Sequence, residues 1–253
     1  MSELFSIQLQ DQQQSSDGVW LDLPTTTEQV QAALRQIDIS SDNPQGLFIS
    51  GYFAEEEKRF AIPYNMVLAS NVDELNFLAS RLETLSAGER AELNAALQVP
   101  QSELSSIGRI TDFPENVDYY VHLPDVRGPA QLGDYYLNRS GMVDMPEEWK
   151  GGIDTAQFGR YVAQQEQGAF TQYGYLVKSG DEWQKVYEGQ PVPEEYRVLS
   201  FPASEILRDA ANIPPPVQST TEQQKVIPII LNGKDSAERM KEITDRLETG
   251  IQQ

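Results

Sequence analysis

Acidic residues run through this chain without collecting in any one place. The sequence holds 39 Asp and Glu against 19 Lys and Arg, for a formal net charge of -20. Residues 1–66 carry -7, 67–112 carry -4, 113–200 carry -7 and 201–253 only -2. The longest acidic run, Glu55-Glu56-Glu57, is followed at once by Lys58-Arg59. A disordered acidic tail shows blocks of like charge and few aromatics. Here the acids alternate with Tyr, Phe and Leu, so the charge belongs on folded surfaces. Such a surface repels nucleic acid and anionic membrane and attracts basic partners. Neither nucleic acid nor membrane is therefore expected as a partner.

A length of 253 residues fits one large domain or two to three small ones, and 39% hydrophobic content can supply their cores. The chain has no Cys. Disulfides, zinc–thiolate sites, iron–sulfur clusters and thiol catalysis are excluded. The first residues have no basic and apolar signal segment, and no stretch approaches about 18 apolar residues. A cytoplasmic location is the expectation.

Local patterns divide the chain into three small units, α+β, all-α and α+β, with a C-terminal helical tail. In residues 1–66, LFSIQL (4–9) and GVWLDL (18–23) alternate like strands. Thr25-x-x-Glu28 is a capping-box pattern opening a helix with Val30, Ala33, Leu34 and Ile37. GLFISGYF (46–53) and RFAIP (59–63) read as further strands. Residues 67–112 read as helical. Asn71-x-x-Glu74 caps a helix with Leu75, Leu78, Leu82 and Leu85, and Ser86-x-x-Glu89 caps a second that Pro100 stops. Ser102 caps a short third helix through Leu104 and Ile107. In residues 113–200, 117–124 reads as a strand and 129–141 as a helix ending at Gly141. Asp154 or Thr155 caps a helix ending near Gly168. Residues 171–189 read as a hairpin turning at Ser-Gly-Asp. Residues 212–225 form a Pro-rich linker, and 235–250 an amphipathic helix with Met240, Ile243 and Leu247 on one stripe.

Catalytic chemistry finds little support. The single histidine, His122, lies in the Tyr-rich strand VDYYVHL without a G-x-S-x-G companion. It reads as a hydrogen-bonded or surface residue. One His and no Cys argue against a transition-metal site. The glycines form neither G-x-x-x-x-G-K-[ST] nor G-x-G-x-x-G. Glu147-Glu148 and Asp181-Glu182 stand out only because acids are abundant. No cofactor, metal or catalytic residue is expected, so the chain is not read as an enzyme. The acid itself remains. B-DNA carries one charge per ~1.7 Å of axis, so the 18 net charges of residues 1–200 correspond to roughly 30 Å of duplex, about nine base pairs.

Several segments together resemble the ArdA antirestriction family. They are G-V-W-L-D-L-P (18–24) before the helix at 26–34, and S-N-V-D-E-L-N-F-L-A (70–79) before L-S-A-G-E-R-A-E-L-N-A-A-L (85–97). The third unit contributes N-V-D-Y-Y (116–120), L-G-D-Y-Y-L (132–137), G-I-D-T-A-Q-F-G-R-Y-V-A (152–163) and Q-G-A-F-T-Q-Y-G-Y (167–175). The resemblance covers about residues 4–190. Each motif is weakly specific, and their order and spacing are more so. One departure falls after the third strand, where the family's D-Y-E-like stretch is matched by Ser50-Gly51-Tyr52-Phe53-Ala54 and the acids come later. Residues 201–253 lie outside the common core.

The resemblance implies an elongated, curved chain of three small domains that pairs as a homodimer and mimics bent B-form DNA. It implies a DNA-mimic antirestriction protein of mobile genetic elements, such as conjugative transposons and plasmids. Its partner would be the specificity and methyltransferase subunits of a type I restriction-modification enzyme. Under that reading the expected phosphate substitutes are Glu74, Glu83, Glu89, Glu92, Asp112, Glu115, Asp118, Asp125, Asp134, Glu147, Glu148 and Asp154. Two alternatives stay open. The decoy could serve another DNA-binding machine, such as a CRISPR effector, another nuclease or a nucleoid protein. Or the chain could be a non-mimic adaptor binding through the helix at 236–250, its acids serving solubility.

Overall fold

The computed structural model describes residues 4–12, 17–40, 44–55, 60–100 and 102–199. The expected linker and amphipathic helix beyond residue 200 lie outside these. Among the described residues the fold is mixed α+β, with two three-stranded sheets and several helices. The described residues form two compact units. One runs to Glu115 and adds Gln184 to Leu199; the other is Asn116–Trp183.

In the first unit, β1 (Phe5–Asp11) is central, flanked antiparallel by β2 (Val19–Leu23) and β3 (Leu47–Phe53). Strict alternation on β1 buries Phe5, Ile7 and Leu9 on one face and leaves Ser6, Gln8 and Gln10 half-buried on the other. Helix α1 (Thr27–Gln36) packs beside β2 and buries Val30, Ala33 and Leu34. Its capping box is one residue later than expected. Thr26 accepts from Gln29 N, and the Gln29 side chain accepts from Thr26 N at 3.0 Å. Thr25 is committed elsewhere: it is buried, and its amide donates to Asn76 Oδ1 at 2.7 Å.

Residues 60–63 form no strand, contrary to expectation. Phe60 and Ile62 are buried, but the Ala61 amide donates to Asn94 Oδ1 at 2.7 Å, not to a neighbouring strand. The short α2 (Tyr64–Leu68) leads to α3 (Val72–Glu83) and α4 (Ala87–Gln98). Both expected capping boxes, Asn71/Glu74 and Ser86/Glu89, are present. Leu75, Leu78, Leu82 and Leu85 are all buried, as the helical period requires. The third helix, α5 (Ile107–Thr111), has its cap four residues after the expected Ser102, with Ser106 accepting from Arg109 N at 3.3 Å.

Residues 184–199 then strap back over α3 and α5. Asp73 Oδ1 accepts from Val198 N and Leu199 N at 2.8 and 2.9 Å. Asn76 Nδ2 donates to Tyr196 O at 2.9 Å. The Phe77 ring sits between Tyr187 and Tyr196, with centroids 4.9 and 4.7 Å away.

The second unit opens with a 3₁₀ turn at Val117–Tyr119, so the strand expected from 117 begins only at Tyr120. Its sheet has the order β4 (Tyr120–Leu123), β6 (Gly174–Lys178), β5 (Ala169–Thr171). The hairpin is therefore not the one expected. Gln172 and Tyr173 make the tight turn, and β6 pairs on its other edge with β4. Gly174 to Val177 are buried, so β6 is a central strand needing two partners. Ser179-Gly180-Asp181 does turn, but it leads the chain out of the sheet, with Asp181 N donating to Ser179 Oγ at 3.2 Å.

Helix α6 (Pro129–Asp134) continues as a π turn over Tyr135–Arg139, closed by Ser140 N donating to Tyr135 O at 2.8 Å. After α7 (Glu147–Lys150), α8 (Thr155–Glu166) crosses α6 with the backbones in contact. A Cβ on Gly159 would lie 1.8 Å from Pro129 O, and one on Gly133 1.9 Å from Thr155 O. Only glycine fits at that crossing. The core is Val126, Leu132, Tyr136, Ala163, Tyr175 and Val177.

Candidate acidic interface

The predicted phosphate substitutes fall into three physical situations. Some cap helices. Glu74 Oε2 accepts from Asn71 N at 3.3 Å, and Glu89 Oε2 from Ser86 N at 2.6 Å. Asp154 Oδ1 accepts from Ala156 N and Gln157 N at 2.9 and 3.0 Å. Glu147 and Glu148 stand exposed in the first turn of α7. These carboxylates meet the positive end of a helix dipole, which locally offsets their charge. The Ser86 hydroxyl and amide keep the Glu89 carboxyl below its ordinary range.

Others lie on the surface without a cap. Asp118, Asp125 and Glu115 are exposed, and Glu83 and Glu92 are half-buried on α3 and α4. Glu115 pairs with Arg81, and Asp134 with Arg139 at 2.9 Å.

Asp112 is the correction. It is fully buried, and its two oxygens accept from Tyr187 N at 2.7 Å and Glu188 N at 3.3 Å. It anchors the strap and presents no charge to a partner. Asp73 does the same lower down the strap. Burial pushes its carboxyl above the ordinary range, against the amides of Leu199 and Val198 and the charge of Arg197. Glu166 lies under the second unit's core, taking Tyr136 Oη at 2.5 Å and Tyr175 Oη at 2.9 Å. Burial raises its carboxyl and both phenols.

What remains exposed is still strongly acidic. Among the described residues, the first unit exposes eight acids (Asp17, Asp22, Glu28, Asp38, Glu55, Glu115, Glu194, Glu195) against three bases (Arg35, Lys185, Arg197). The second exposes eight (Asp118, Asp125, Asp144, Glu147, Glu148, Asp154, Asp181, Glu182) against four (Arg127, Arg139, Arg160, Lys178). Ten of those sixteen acids were not among the predicted residues. Asp22 was findable, since it sits on the polar phase of VWLDL.

His122 Nε2 lies 2.9 Å from Tyr173 O, tying β4 to the hairpin turn. Among the described residues no group of three or more His, Asp or Glu is placed to hold a metal ion. None of their helices is long and apolar enough to cross a membrane. The first unit has a cavity of about 330 Å³ between α3, α5 and the strap, bordered by Glu74, Phe77, Tyr187 and Glu188. Arg109 bridges Glu188 at 2.8 Å and Glu103 at 2.5 Å beside it, and holds the Glu188 carboxyl below its ordinary range.

The family model described as Antirestriction protein (ArdA) matches residues 14–177. The chain belongs to the ArdA antirestriction family. The match spans both compact units and stops inside β6, short of the strap. No curated protein matches the chain. Membership in the ArdA family agrees with the motifs read between residues 18 and 175, and it implies an antirestriction function.

Proposed function

We propose that this ArdA-family chain acts as a decoy for DNA, occupying the DNA-binding groove of a type I restriction-modification enzyme at its specificity and methyltransferase subunits. The observation that carries this reading is the excess of exposed carboxylates on both units, eight against three and eight against four. Carboxylates on a folded surface can take the place of phosphates against a groove lined by Lys and Arg, releasing the counter-anions held there. No base readout is involved, so the decoy is indifferent to the enzyme's recognition sequence. The acids stay hydrated until binding, which avoids the cost of burying them during folding. In this reading the protein works as a homodimer, which doubles the charged length, and it assigns no catalytic residue.

The test is inhibition of a purified type I enzyme, with its DNA titrated as competitor at two salt concentrations. Inhibition should be competitive with DNA and weaken steeply as salt rises. An enzyme untouched at micromolar protein would sink the type I assignment and direct the same surface to other DNA-binding machines.

A further inference from the structure

Trp20, Asp22 and Phe53 are exposed on the face of the first unit's sheet opposite buried Phe5, Ile7 and Leu9. Strand register places Asp22, Ser6 and Phe53 in one row across β2, β1 and β3, and Trp20, Gln8 and Gly51 in the next. Trp20 is 50% exposed and Phe53 57% exposed. Their rings meet edge to face, with centroids 6.5 Å apart. Gly51 makes this possible. A Cβ there would come within 3.1 Å of Trp20 Cη2, so the indole reaches across β1 and lies against bare backbone. The β-bulge at Ser50, whose hydroxyl donates to Gln8 Oε1 at 3.1 Å, sets Gly51 opposite Gln8. Asp22 stands beside the indole on the same strand face, oriented by Ser6 Oγ donating to Oδ1 at 2.6 Å.

We infer that Trp20 and Phe53 form a platform that stacks an arginine side chain of the protein partner while Asp22 pairs with its guanidinium. The inference deepens the decoy reading and rests on it for the partner's identity. A guanidinium is the group that stacks on an aromatic face and pairs with a carboxylate at once. Trp is the best ring for it, and exposed aromatics among polar neighbours are the usual anchors of protein interfaces. Charge decides the occupant. Aromatic rings on an open sheet also stack the bases of single-stranded nucleic acid, but such sites need cations for the backbone. Residues 1–66 carry ten acids against three bases, Arg35, Lys58 and Arg59, and of the described acids among them Asp17, Asp22, Glu28, Asp38 and Glu55 are exposed. Asp22 beside the rings and the acidic excess of this region disfavour a phosphate chain and favour a basic protein.

The experiment titrates the full chain with an oligoarginine peptide, and separately with an oligolysine peptide of equal length. The three indole N–H resonances are followed. The Trp20 signal should move most, and oligoarginine should bind about tenfold more tightly than oligolysine. The double variant Trp20→Ala/Phe53→Ala should erase that difference, and Asp22→Asn should reduce it with both rings kept. In the type I inhibition assay the double variant should be about tenfold weaker. Equal affinity for the two peptides, or a silent Trp20, overturns the platform. So does a shift of Trp20 by oligothymidylate, or conversion of a dimer to a monomer by the double variant. A wild-type protein that fails to compete with DNA yet seats oligoarginine on Trp20 sinks the decoy reading and leaves the platform standing. A competitive inhibitor that the double variant matches does the reverse.

Discussion

Asp112 and Glu148 are both acids in a strongly acidic chain, yet they are opposites in physical role. Asp112 is fully buried and satisfies two backbone amides of the strap; Glu148 stands in solvent at the start of α7. Asp112→Ala would leave both part-buried amides without their carboxylate partner, at a cost of about 1–3 kcal/mol. Glu148→Ala should change stability by no more than about 0.5 kcal/mol. Urea unfolding of the two variants side by side measures the contrast, and equal midpoints would refute it. Glu166 carries a pH dependence. Its carboxyl is raised above the ordinary 4.5 by burial, outweighing the hydrogen bonds from Tyr136 and Tyr175. A raised acid is at no disadvantage below about pH 4.5, where it is protonated folded and unfolded alike, and its penalty grows as pH rises through the folded value. Glu166→Gln should therefore gain stability relative to wild type as pH rises from about 4.5 through the raised folded value. A constant difference across that range would mean the carboxyl is not raised.

The helices and strands differ in how far local sequence decides them. Capping boxes act within four residues, so Asn71/Glu74 and Ser86/Glu89 could be read directly. Ser86→Ala should cost about 1 kcal/mol, read from the thermal midpoint. Where two candidates sit side by side, tertiary contacts choose. Thr25 gives its amide to Asn76, and the cap passes to Thr26. Strand pairing was less legible. The apolar run at 59–63 has strand composition, yet from Phe60 it lies against α4 through Asn94. The segment at 171–189 holds two turn signals, and β6 makes the hairpin with the one at 172–173 because β4 takes its other edge. The α6–α8 crossing gives a sharper prediction. Gly159→Ala would force a Cβ against Pro129 O and should cost about 1–3 kcal/mol or more, measured by urea unfolding. A variant as stable as wild type would show that the helices can part without loss.

For the whole molecule, net charge matters more than any single carboxylate. The exposed acids are distributed over both units, so reversing one should weaken inhibition modestly, while reversing six or more of them should abolish it. Loss of all activity from one exposed alanine substitution would refute distributed mimicry. The sequence by itself determined the net charge of -20, its spread, the capped helices of residues 71–98 and the family motifs. These depend on composition or on neighbours a few residues apart. Only the tertiary structure decided which acids face solvent. Asp112 and Asp73 were removed from the surface by amides 75 and 125 residues further along the chain. Trp20 and Phe53 became one platform because β1 brings their strands together. Burial and stacking are properties of such distant pairings, and no local pattern encodes them.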